Sequence, residues 1–230
     1  MYHLCQLKNK MYHLLCLVLS TLDAPGPSVN GVVRELEQLF ATAGEQQYYH
    51  EPVTHVEHAL QCATLAEQEN HDADVVLASF LHDVGHIAAP ADSPHMNSAD
   101  GGYDVGVVEH EVRGREWLLS RGFHPRVGEL VESHVASKRY LVATNATYFA
   151  KLADDSVRSL VFQGGPMNAS EVAEFEGRAD FARFIALRSF DERGKVSGMR
   201  TPPLAHFIAL TRAHLERVLG LSRLATNTEL

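Results

Sequence analysis

The chain has 230 residues, long enough for one substantial core, and its 45% hydrophobic and 21% charged residues are those of an ordinary globular protein. A formal net charge of -9 and an isoelectric point near 5.8 exclude a nucleic-acid footprint, which needs clustered lysine and arginine to displace counterions. Any anionic partner must be small and met by a few local cations. Cys5, Cys16 and Cys62 show no C-x-x-C spacing and cannot all pair, so they read as free thiols of a reducing compartment, the cytoplasm.

Residues 1–30 read as an N-terminal extension and residues 31–230 as the catalytic unit, because Ala24-Pro25-Gly26-Pro27-Ser28 is a break and cleaner helical periodicity follows it. Within the extension, Lys8 and Lys10 followed by the apolar run Leu14 to Leu19 have the outline of a short leader. That run is too short to cross a bilayer and describes an amphipathic extension equally well, so no membrane partner is expected.

From Val32 to Thr42, Val33, Leu36, Leu39 and Phe40 recur at helical spacing and Gly44 closes the segment. A loop carries Tyr48 to Pro52. Thr54 with Glu57 makes a capping-box pattern that opens a helix from His55 to Glu69, and a second helix runs from Asp72 to His82 with Val75, Leu77, Ala78 and Leu81 buried. The Pro-, Asp-, Ser- and Gly-rich stretch from Ala89 to Gly106 predicts a long surface loop. Helix resumes from Val107 to Arg121, stops at Gly122, and restarts at Pro125 with Val127, Leu130, Val131 and His134. Shorter helices are expected over Ala143 to Leu152 and Asp154 to Phe162, ended by Gln163-Gly164-Gly165-Pro166. Another runs from Ser170 through Phe184 to Asp191, and Pro202-Pro203 precedes a last one from Leu204 to Leu219. With few period-two segments and no repeat, the fold class is all-α.

Fourteen histidines stand out. The sharpest local feature is His82-Asp83-Val84-Gly85-His86 at the end of an apolar helix, with His58 on the helix before it. Adjacent imidazole and carboxylate groups can face one site where a helix ends, and the two oxygens of Asp83 can bridge two ions. A lone His-Asp pair is usually a solvated turn, but this one follows Ala78-Ser79-Phe80-Leu81. His110 and His134 are each, taken singly, ordinary hydrogen-bonded or exposed side chains; together with the pair they suit a first-row transition metal, since imidazole favours iron, zinc, copper or nickel. Asp191 is either the remaining carboxylate ligand or a helix-terminal surface acid, and Arg188 either steadies it or forms a surface ion pair. Trp117 reads as core, and His206 and His214 as surface or structural. His3, His13, His55, His71, His95 and His124 need no ligand role.

These motifs, with Tyr48-Tyr49-His50-Glu51-Pro52-Val53-Thr54, Glu109-His110-Glu111, His134-Val135-Ala136-Ser137-Lys138 and Phe162-Gln163-Gly164-Gly165-Pro166-Met167, resemble the HD-domain superfamily. Within it, the stretch from Glu45 to Lys195 is similar to the mixed-valent diiron oxygenases, which include phosphonate-cleaving oxygenases and, more distantly, myo-inositol oxygenase. The resemblance implies an HD-domain helical bundle holding two iron ions as Fe(II)/Fe(III). One would be held by His58, His82, Asp83 and Asp191, the other by the bridging Asp83 with His110 and His134. It further implies that Glu51, with Tyr48 packed beside it, closes an open coordination position until substrate displaces both. His86 would contact substrate, and Lys138 with Ser156 and Gln163 would meet its phosphonate. Those relatives commonly have glycine where this chain has His50, a change that bears on substrate shape more than on metal binding. The implied reaction uses O2 to cleave the carbon-phosphorus bond of a small 1-hydroxyalkylphosphonate of the 2-amino or 2-trimethylammonio type, yielding phosphate and a carboxylic acid. The alternative is a metal-dependent HD phosphohydrolase acting on a small phosphate ester or nucleotide. A metal-binding regulatory module is a third reading.

Overall fold

A computed structural model describes residues 27–97 and 103–228, with side chains through residue 220; the possible leader, Cys5 and Cys16 lie outside the described residues. Helix α1 (Val29–Ala41) starts at Ser28, whose hydroxyl accepts from the Gly31 N–H, and buries Val32, Val33, Leu36 and Phe40. The capping box at Thr54 and Glu57 forms as expected and opens α2 (His55–Gln68). Asp72 caps α3 (Ala73–Leu81), an almost wholly apolar segment buried along its length. A tight turn at His82 and Asp83 leads into the short α4 (Val84–Ile87).

The stretch expected to be a featureless loop instead carries an antiparallel hairpin, β1 (His95–Asn97) and β2 (Asp104–Val107). The strands are too short to display a period-two pattern, but Met96 and Val105 turn inward and are buried. Because Val107 ends β2 and Glu109 takes a left-handed backbone with φ 57°, α5 begins only at His110 and runs to Ser120. Pro125 opens α6 (Pro125–Thr144), which is longer than expected. The helix expected over Ala143 to Leu152 is absent. Asn145 takes an extended backbone and its side chain accepts from the Thr147 N–H, leaving only a 3-10 turn at Phe149–Lys151.

Asp154–Phe162 forms α7 as expected. The single helix expected from Ser170 to Asp191 is two: α8 (Ala169–Glu176), capped by Asn168, and α9 (Phe181–Arg193). Gly177 ends the first, and the turn lets Phe175 pack against Phe181 and Phe184. The last helix, α10 (Leu204–Thr228), continues past Leu219.

Helices α2, α3, α5, α6 and α9 pack on one another, and α10 pairs with α1 at the side. Phe40, Phe80 and Phe207 stack through this core, with Leu36, Leu77, Leu130 and Leu187 around them. Trp117 packs against the core partly buried, in line with its core assignment. The architecture is an all-α bundle with one small hairpin. His82-Asp83, the starts of α2 and α5, the middle of α6 and the end of α9 meet within it.

Candidate metal centre and substrate cavity

Gly85 fixes the approach of α4 to α5: a Cβ there would lie 1.9 Å from the His110 carbonyl oxygen. Only glycine permits that contact, and it brings Asp83 beside His110. His58 comes from the first turn of α2, His134 from the middle of α6 and Asp191 from the last turn of α9. All six side chains proposed from the sequence, His58, His82, Asp83, His110, His134 and Asp191, are buried and converge.

Their arrangement is two-sided. Asp83 Oδ2 lies 3.7 Å from His58 Nε2 and 3.4 Å from His82 Nε2. Asp191 Oδ1 approaches the same nitrogens at 3.4 and 3.9 Å. Asp83 Oδ1 points the other way, 3.7 Å from both His110 Nε2 and His134 Nε2. Within each pair the imidazole nitrogens nearly touch: His58 to His82 is 3.1 Å and His110 to His134 is 2.9 Å.

A metal ion held between these groups would account for the approaches. The Nδ1–H groups of His58, His82 and His134 have backbone carbonyls to bond, those of Gly194, Ser79 and Val131, at 2.7, 2.9 and 2.6 Å. Donating Nδ1 leaves each of these three Nε2 atoms a lone pair, so the facing nitrogens of His58 and His82 repel unless a cation lies between them. Ligands about 2.1 Å from one ion and at right angles sit about 3.0 Å apart, the observed spacing. Asp83 Oδ2 is buried with no hydrogen-bond partner, as expected of an oxygen waiting for a metal. Burial pushes His110 well below its ordinary pKa and His134 to about 3, so both are neutral, as ligands must be. Burial alone would raise the carboxyls of Asp83 and Asp191. Neighbouring histidines for Asp83, and Arg188 followed by His58 for Asp191, instead hold both well below the usual range.

Arg188 resolves one alternative left open by the sequence. It is buried and donates to Asp191 Oδ2 at 2.6 Å, so it steadies that carboxylate and is not a surface ion pair. Cys62, a buried free thiol, packs 3.7 Å from His58 Nδ1. His206 is exposed and meets Glu67, whereas buried His214 accepts from the His124 N–H and meets Asp74, both structural roles.

A small cleft of about 40 Å³, partly open to solvent, borders Asp83, His110, His134 and Asp191 but neither His58 nor His82. Three cationic side chains line it: Lys138, Arg188 and Lys195. Lys138 is buried, donating to Ser159 Oγ at 2.7 Å and the Ser156 carbonyl at 3.2 Å. Burial, then Arg188, pulls its pKa well down, so its charged form gains from an anion placed beside it. Ser156 and Gln163 also line the cleft, and Gln163 Oε1 is buried without a partner. His86 stacks on His110 with ring centroids 3.9 Å apart. The Val107 N–H donates to His86 Nδ1, so Nε2 carries the hydrogen and is a donor rather than a ligand.

Tyr48 lines the cleft and stacks on His58 with ring centroids 4.3 Å apart. Glu51 differs from expectation: it does not border the cleft, and its carboxylate pairs with Lys195 Nζ at 3.2 Å. A nearby cation draws it there. Lys195, Tyr49, Ser159 and Asp155 are cleft residues that sequence reasoning missed. Lys195 could have been found from its place four residues after Asp191, on the stretch leaving α9; the others carry no sequence signal. His50, at the departure from the relatives' pattern, donates its backbone N–H to Asp155 and stacks on Tyr103 at 3.8 Å.

An all-α bundle that gathers His58, His82-Asp83 and Asp191 around one shared carboxylate defines a metal-binding protein of the HD type. Residues 56–158 match the HD domain. The chain is 38% identical over 189 residues to 1-hydroxy-2-(trimethylamino)ethylphosphonate dioxygenase (glycine-betaine-forming) of Leisingera caerulea, covering 82% of this chain and 93% of that protein. It is 34% identical over 212 residues to hydroxymethylphosphonate dioxygenase of Gimesia maris, covering 91% and 99%. An uncharacterized protein of Acanthamoeba polyphaga mimivirus is 31% identical over 193 residues, 84% of each chain. The chain belongs to the HD-domain oxygenase family that contains these two dioxygenases, and it is an oxygenase. Among the described residues, no helix is long and apolar enough to cross a membrane.

Proposed function

We propose that this oxygenase cleaves the carbon-phosphorus bond of a small 1-hydroxyalkylphosphonate carrying an amino or trimethylammonio group on the neighbouring carbon. Phosphate and a carboxylic acid are the products, O2 is the oxidant and two iron ions are the cofactor. The observation that carries this reading is Asp83, whose two oxygens face separate imidazole pairs at the floor of a cleft walled by three cations. The names of two relatives support the phosphonate class.

His58, His82, Asp83 and Asp191 would hold one iron; Asp83, His110 and His134 would hold the other. When bound, the Fe(II)/Fe(III) pair supplies the redox chemistry that activates O2 and oxidises the carbon bearing the hydroxyl. The second ligand set borders the cleft, so substrate lies on its side. Arg188 offers fixed positive charge to the phosphonate dianion, and Lys138 gains its charge as the dianion arrives, in a place largely stripped of water where each contact counts for more than in solution. Ser156, Ser159 and the unpartnered Gln163 lie beside them to orient its oxygens. His86, its tautomer set by the Val107 N–H, aims an Nε2–H donor at substrate. Holding the phosphonate at several points restricts the reacting carbon to one orientation, the entropic part of catalysis. Tyr48, covering His58, and the Glu51–Lys195 pair stand at the approach to the site.

The test is anaerobic purification with metal analysis and electron paramagnetic resonance, then assay with 1-hydroxyalkylphosphonates. Two irons per chain, a coupled Fe(II)/Fe(III) signal perturbed by substrate, and one O2 consumed per phosphate released are expected. Phosphate release from an ester without O2 uptake would instead identify a hydrolase.

A further inference from the structure

The three cations of the cleft share it with a carboxylate that the phosphonate does not need. Asp155 borders the same cavity as Lys138, Arg188 and Lys195, yet its only ion-pair neighbour among the described residues is His50. An anion inside a site built for an anion is a cost unless something positive sits beside it. Apolar and aromatic groups line the same cleft: Met96 and Val105 from the hairpin, both buried, and Tyr49. Asp155 is also already engaged. Its Oδ1 accepts from His50 Nδ1 at 3.0 Å and from the Tyr103 hydroxyl at 2.9 Å, and its Oδ2 from the His50 N–H at 3.1 Å.

We infer that Asp155, Tyr49, Met96 and Val105 form a subsite for a quaternary ammonium group on the substrate, and that this chain selects the trimethylammonio over the primary amino compound. The inference rests on the phosphonate reading and narrows it. A quaternary ammonium carries charge but no N–H, so it gains from a carboxylate whose acceptor positions are taken, and its methyl groups need apolar or aromatic walls. A primary ammonium brings three donors and would leave them poorly satisfied against Met96, Val105 and a saturated carboxylate. His50 has a place in this scheme. By donating twice to Asp155 and stacking on Tyr103, it locks the carboxylate in position, something a glycine could not do.

The experiment compares binding to the iron-loaded enzyme, by anaerobic calorimetry, of 1-hydroxy-2-(trimethylammonio)ethylphosphonate, its 2-amino analogue and the uncharged tert-butyl isostere. Phosphate release is recorded separately. We expect the trimethylammonio compound to bind roughly tenfold or more tightly than either of the others, the scale of a partly desolvated charge contact. Asp155→Asn should bring the ratio between the charged compound and its isostere close to one, and Asp155→Glu should restore most of it. Equal affinities in the parent enzyme, or a ratio that survives Asp155→Asn, overturn the subsite. Binding selectivity without phosphate release leaves the subsite standing and refutes the phosphonate-cleaving reaction instead.

Discussion

Replacing Lys138 by methionine keeps most of the length of the side chain and removes its charge. In the substrate-free protein this cation is costly: it is buried, donates to only two protein acceptors, and burial holds its pKa well below the ordinary lysine value. Since folding lowers this pKa, the charged form is disfavoured in the folded state at all pH values where the unfolded lysine is protonated, and deleting the charge removes that penalty. With substrate present the balance reverses, because a charge-assisted hydrogen bond contributes about 1.5–3 kcal/mol, or roughly 10- to 150-fold in kcat/KM. Lys138→Met is therefore expected to raise the thermal midpoint of the substrate-free enzyme by about 2–4 °C per kcal/mol of relieved penalty, while lowering kcat/KM chiefly through KM. Scanning calorimetry and steady-state O2 uptake measure the two effects. An unchanged KM removes Lys138 from the substrate site, and a lowered midpoint shows that its charge supports the fold.

Asp83→Ala is expected to abolish iron binding with helical content retained, read by metal analysis and circular dichroism; a variant that keeps two irons per chain contradicts the shared-carboxylate arrangement. Gly106→Ala strains a backbone at φ +109° and drives a Cβ to 2.4 Å from His86 Cε1 and 2.7 Å from the Tyr49 hydroxyl. A loss of about 1–3 kcal/mol and a fall in activity should follow, and wild-type denaturation and turnover would show that β2 moves freely away from His86. Asp74 has its carboxyl held low first by a hydrogen bond from His214 and also by Arg126. Its depressed pKa gives stability that is present above the unfolded aspartate pKa of about 3.9 and lost as pH falls. Urea midpoints measured from pH 6 down to pH 3 should therefore decline less steeply in Asp74→Asn than in the parent protein, and parallel curves would remove Asp74 from the acid response.

How much could be read in advance depends on how local the signal is. Thr54 with Glu57, Asp72 and Pro125 set their helix starts through side chains or ring geometry within one turn, and those starts were legible. The division of α8 from α9 was not, because it depends on Phe175 finding Phe181 and Phe184 in three dimensions, with only Gly177 to hint at it. Nor was the hairpin, whose strands pair His95 with Val107 across a turn with no alternating pattern. In the site, adjacency exposed His82 and Asp83, but Asp191 remained ambiguous until Arg188 and His58 were found against it. The Glu51–Lys195 pair joins residues 144 apart and leaves no local trace. The saturation of Asp155 by His50 and Tyr103 is of the same kind.

The end of α9 and the residues just past it have a consequence for how mutants here should be interpreted. Asp191 reaches the metal pocket, the Gly194 carbonyl orients His58, Lys195 grips Glu51, and Val196 is tied to Gln61 through both its backbone N–H and its carbonyl. Gly194 has no slack to share, since a Cβ there would sit 2.5 Å from Cys62 Sγ. Asp191, Gly194, Lys195 and Val196, all within six positions, thus bring a candidate metal ligand, the orientation of His58 and the Glu51 and Gln61 contacts onto one short stretch. A change at any of the four is expected to disturb its neighbours' roles as well as its own, so these roles are best separated experimentally from their far partners, Glu51, Gln61 and Cys62.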